Sequence, residues 1–172
     1  MSEPTSRPRD VEPRTYLAQR RARIERLLER SLVVPSAPAL PPERRRFLRE
    51  EAEELYWNEL AWEKLTGDDP RARDGMAEFA FPGFLAFIDG LLLRDTSADS
   101  PVPASPRPEV VEDVLVFLAE RCVAASGADE DEDSAVARHL TERLLDLVLY
   151  RLYQLPVDDV ERLEMARLRG DE

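Results

Sequence analysis

One histidine, His139, and one cysteine, Cys122, set a ceiling on the chemistry open to this chain. A di-iron carboxylate bundle needs two Glu-x-x-His pairs, so that ligands one helical turn apart converge on the metals, but Val136 stands three residues before His139. Mononuclear zinc fails for want of further His or Cys ligands. A serine–histidine–aspartate triad would have His139 as its only base, and no serine stands in a G-x-S-x-G setting. Asp129, Asp131 and Asp133 have the alternating spacing of the first ligands of a calcium loop. Ser134 then replaces the turn glycine and Leu140 the closing bidentate glutamate, so the cage cannot close. These acids read instead as a solvated connection whose charge favours the N-terminus of the next helix. The glycines are too scattered to cradle a phosphate. The expectation is a non-enzymatic protein with no catalytic residue, no metal site and no cofactor.

Three constellations remain as candidate partner-binding features. His139, Glu142, Arg143, Asp146, Tyr150 and Tyr153 recur at helical spacing, forming one face beside an apolar stripe. Tyrosines around a central arginine suit a recognition strip, although a solvated face whose tyrosines lean on neighbouring helices has the same spacing. Tyr56, Trp57, Leu60 and Trp62 surround a second helix on several sides, so Trp57 or Trp62 must meet either another part of the chain or a partner. Glu59 falls on the same face as Leu48, Ala52 and Leu55, while Asp89 sits in the most apolar segment. Burial of either calls for a partner, and arginine is the expected one. The third feature is a basic first helix with Arg20 and Arg23 on its polar faces. Residues 1–31 hold eight basic and five acidic groups, a charge of +3, which leaves −15 for the remainder of a chain whose net charge is −12. Such an arm can dock on its own acidic body, swap onto a second copy, or enter another protein's groove.

The elements that must position these residues are helices. Leu occurs 24 times, whereas Ile and Thr together occur seven times, and so thin a β-branched set favours an all-α fold. Leu17, Ile24, Leu27 and Leu28 make the stripe of a first helix over 13–32. A spacer with four prolines follows over 33–42, then a second helix from Pro42 to Leu65. Asp69-Pro70 starts a third, which should break near Phe81-Pro82-Gly83, and the following FLAFIDGLLL should be the heart of the core. Residues 95–108, rich in proline and serine, read as a linker. Pro108 opens a helix with Val111, Val114, Leu115, Leu118 and Cys122 inward, ending at Ser126-Gly127. Another begins near Ser134 and ends before Pro156, and a last one starts at Asp158 with Glu161 completing a capping box. The expected architecture is an irregular bundle of five or six helices. Residues 1–42 form the basic helix with its spacer, and 43–172 one acidic domain.

Composition narrows the function further. The opening MSEPTSRPRDVEPR lacks the basic-then-apolar pattern of a secretory signal, and no apolar run approaches the ~20 residues a bilayer requires. A single cysteine with no disulfide partner is consistent with the cytoplasm. The acid excess argues against direct binding of nucleic acid. The reading that follows is a helical protein–protein interaction module, an adaptor, accessory subunit or small chaperone, whose partner is another protein or a second copy. Two alternatives share the composition. One is an acidic mimic that occupies the basic groove of a nucleic-acid-binding protein; the other is a helical ligand-binding or enzyme domain using Glu59, Asp89 or His139.

Overall fold

Proline at the first helical position opens four helices, at Pro13, Pro42, Pro82 and Pro108, where its missing N–H leaves no bond unmade and its fixed φ is already helical. The computed structural model describes residues 12–34, 40–62, 77–92, 107–126 and 132–170. In chain order these form α1 (Pro13–Leu28), α2 (Pro42–Trp62), the single turn α3 (Ala77–Ala80), α4 (Pro82–Leu91), α5 (Pro108–Ser126), α6 (Glu132–Leu152) and α7 (Val157–Arg169). Among the described residues there are six helices of ten residues or more and no strand, an irregular all-α bundle. The stretch around Asp69-Pro70, the linker over 95–106 and the expected end of α2 at Leu65 lie outside the described residues.

Local chemistry explains where the helices stop. α1 ends at Leu28, four residues short of the expectation, because Glu29 turns left-handed (φ 57°). The N–H groups of Glu29 and Arg30 then bond back to the carbonyls of Arg26 (3.3 Å) and Glu25 (3.1 Å), closing the helix without a glycine. The break before Pro82 is present: Phe81 has φ −126° and ψ 53°, as expected of a residue that proline pushes out of the helical region. α6 begins at Glu132, ahead of the expected Ser134, since acidic side chains suit the positive end of a helix. The capping box at Asp158 and Glu161 does not form. Extended Pro156 (φ −62°, ψ 158°) is the N-cap, with no side-chain bond, and Asp159 in the first turn pairs with Arg30 instead.

The core is centred on α6, which packs on α5, α3 and α4, while α1 lies against α5 and α7. From Leu140 to Tyr150 every residue except Glu142 is buried. The segment expected to be the heart of the core contributes one face: Phe84 and Ile88 are fully enclosed, but Ala86 is exposed and Phe87 half-buried. Leu17, Ile24 and Leu28 place α1 inside the same core. An aromatic cluster joins α2 to the rest. Tyr56 stacks on Phe81 (5.5 Å between ring centres) and meets Phe117 edge-on (5.3 Å). Its hydroxyl shares a hydrogen bond of 2.8 Å with Thr141.

Candidate functional site

Two of the constellations read separately in the sequence are each other's partners. The polar face of α6 is covered from within, by α1 on one side and α7 on the other. Asp146, 2% exposed, accepts bonds from Arg20 Nε (3.2 Å) and Nη2 (2.5 Å). Arg23 is also buried and its charge acts on Asp146, yet its Nε and Nη2 find no hydrogen-bond acceptor among the described residues. Arg143 Nη1 donates to Glu164 of α7 at 2.6 Å, and Arg167 Nε donates to the other oxygen of that carboxylate at 3.1 Å. Tyr150 is sealed in, and desolvation raises its phenol above the usual range. Tyr153 is half-buried with the Arg21 guanidinium 6.0 Å from its ring centre. Of the strip, His139 alone is exposed.

Burial governs the electrostatics of this polar layer. Desolvation pushes Asp146 up, opposed by the Arg20 charge and its hydrogen bonds, and pushes Glu142 up against Arg138, Arg20 and His139. The buried Cys122 thiol is likewise pushed up to about 12, chiefly by desolvation, so at neutral pH it is a poor nucleophile. The two carboxylates expected to need arginine differ in outcome. Asp89 has one, Arg151 Nε at 3.0 Å. Glu59 instead accepts the N–H of Phe84 at 2.7 Å, at the exposed amide end of α4, while burial raises its pKa. Among the described residues no group of three or more His, Cys, Asp and Glu side chains is placed to hold a metal ion.

A cleft of about 310 Å³ opens between α1, α2 and α5, lined by Arg14, Arg21, Arg45, Glu112 and Asp113. Its charges already close on one another: Arg45 grips Asp113 (2.6 and 2.9 Å) and Arg21 reaches Glu112 (3.4 Å). Glu59, Asp89 and His139 do not line it.

What stays open is the outer face of α2. Trp57 is 46% exposed, edge-on to Tyr56 and Phe117 and under the Arg121 guanidinium (5.5 Å), and Phe47 is 53% exposed. Exposed Glu50, Glu51 and Glu54 lie between them. The Trp62 side chain lies outside the described residues. Phe47 carried no role in the sequence reading, although its spacing held the signal: it is out of phase with Leu48, Ala52 and Leu55 and in phase with Glu51 and Glu54. Val157, Met165 and Leu168 on α7 were missed in the same way, and all three are exposed.

No protein-family model matches the chain, and no curated protein or solved structure is significantly similar to it.

Proposed function

We propose that this protein is a non-enzymatic helical interaction module, an adaptor, accessory subunit or small chaperone, that works in the cytoplasm and binds another protein through the outer face of α2. The observation that carries this reading is the pairing of exposed Phe47 and Trp57 with the acids between them. Aromatic side chains bury large area with few rotatable bonds, and a charged rim selects the partner's orientation. The matching partner surface is apolar with basic edges. Three carboxylates support this reading indirectly, because part-buried Glu59 and Asp89 and buried Asp146 each already satisfy a donor inside the fold.

The acidic-mimic alternative draws on the same α2 glutamates and differs in its salt response, since contacts between charges alone are screened. A tagged full-length chain, incubated with lysate of its source cells at two salt concentrations, tests both. The expected result is one stoichiometric partner that is retained at the higher salt and lost from a Phe47→Ala/Trp57→Ala double variant. Capture that disappears at the higher salt favours the mimic. Equal capture by wild type and variant, or none by either, overturns the α2 reading.

A further inference from the structure

α7 carries an apolar stripe that nothing among the described residues covers. Val157, Met165 and Leu168 are 72%, 54% and 72% exposed. Together with exposed Glu161 they recur at steps of four, four and three residues, on the side of the helix away from buried Leu163 and Ala166. The Arg30–Asp159 pair ties the end of α1 to the N-terminal end of α7 and leaves this stripe uncovered. Three of the six large exposed apolar side chains among the described residues therefore lie on this one helix. Scattered single apolar residues are ordinary on a surface, but a continuous stripe of them marks a contact.

The charges of α7 say what kind of contact. Its exposed acids, Asp158 and Glu161, belong to the N-terminal half, and its exposed bases, Arg162 and Arg169, extend toward the C-terminus. A parallel neighbour of the same sequence would set like charge against like. An antiparallel copy reverses the order. With the two-fold axis at Met165, each Met165 faces the other, and Glu161, four residues to one side, meets the partner's Arg169, four residues to the other. The stem of Arg162 then lies across the partner's Leu168. The helix dipoles are opposed in the same arrangement.

We propose that the outer face of α7 is a homodimer contact, occupied by α7 of a second copy running antiparallel, with Met165 on the axis and two symmetric Glu161–Arg169 pairs. One patch meeting itself is the usual form of a two-fold interface. A pair of helices this short lies at the small end of specific interfaces, so dissociation falls at roughly micromolar concentration. The contact is separate from the α2 face, and each stands without the other.

Sedimentation velocity on the full chain over a broad concentration series tests the proposal. The wild type is expected to shift reversibly from monomer to dimer, and Met165→Glu to remain monomeric with an unchanged helical circular-dichroism spectrum. Glu161→Arg and Arg169→Glu each bring like charges together twice and should weaken the dimer by at least about tenfold. Mixed one to one, these two variants form a heterodimer with both pairs restored, one in its original sense and one reversed, and affinity should return to near that of the wild type. The proposal is overturned by a wild type that stays monomeric, as when another part of the chain covers α7. It is overturned equally by a dimer that Met165→Glu leaves intact, or by a mixture no tighter than the single variants.

Discussion

Asp146 is where the largest single-residue effect is expected. Its carboxylate neutralises Arg20 across the α1–α6 contact, and its electrostatic neighbour, buried Arg23, has no acceptor for Nε or Nη2 among the described residues. Asp146→Ala would strand buried guanidinium charge, and loss of one partner from a buried pair costs about 3–5 kcal/mol. Urea unfolding reads this directly; a change below about 1 kcal/mol would mean that Arg20 finds water or another acid. Glu59, Glu142 and Asp146 also bias the pH response, since desolvation raises all three in the folded chain. The folded state then holds protons that the unfolded state has released, so these groups contribute stability that is fully present below their unfolded values and is lost as pH rises through the raised ones. Urea midpoints across that window should rise on acidification, and Glu142→Gln should flatten the slope. A midpoint that falls steadily below neutrality would contradict the assignment.

Among the helices, α4 shows how an end can be finished from far along the chain. It starts at Pro82 with no capping side chain of its own, and Glu59 of α2 supplies the acceptor for the Phe84 N–H. Gly83 makes room for that carboxylate, because a Cβ there would lie 2.4 Å from Glu59 Oε1. Gly83→Ala is therefore expected to displace the acceptor and lower stability by about 0.5–2 kcal/mol, the usual loss for a missing cap. Glu59→Gln, which keeps an acceptor oxygen, should lose less. Thermal unfolding of both variants decides this, and a Gly83→Ala variant as stable as wild type would show that the carboxylate simply swings aside. The sequence reading had Glu59 on an inward face and assigned it an arginine, as it did for Asp89. Arg151 does answer Asp89, but which helix end arrives beside Glu59 is set by the packing of α2 on α4 and leaves no periodic mark in either segment.

The molecule as a whole is organised by the docking of its basic helix. The +3 of residues 1–31 against −15 elsewhere resolves into Arg20–Asp146, Arg21–Glu112 and Arg30–Asp159, over an apolar contact made by Leu17, Ile24 and Leu28. Burying three such side chains contributes about 5–9 kcal/mol before entropy is counted, comparable to the whole net stability of a small domain. A chain lacking residues 1–41 should accordingly lose its cooperative urea transition and bind a hydrophobic dye. Retention of a sharp transition would make α1 an appendage rather than part of the core.

Helical class, proline-opened starts, the Phe81-Pro82 break and the inward face of α5 were all legible along the chain, because each depends on residues within one or two turns of one another. The sign of the charge contrast was legible too, since it is a sum over composition. The α6 strip was seen as a face but not as a covered one: its arginine, aspartate and tyrosines have the same spacing whether water or α1 lies over them. Capping of α4 by Glu59, the closure of the arginine-lined cleft by its own carboxylates, and the exposure of Phe47, Trp57 and Met165 likewise depend on which helices meet. Periodicity reports the face a residue occupies, whereas burial and partnership are decided by contacts between segments far apart in the chain.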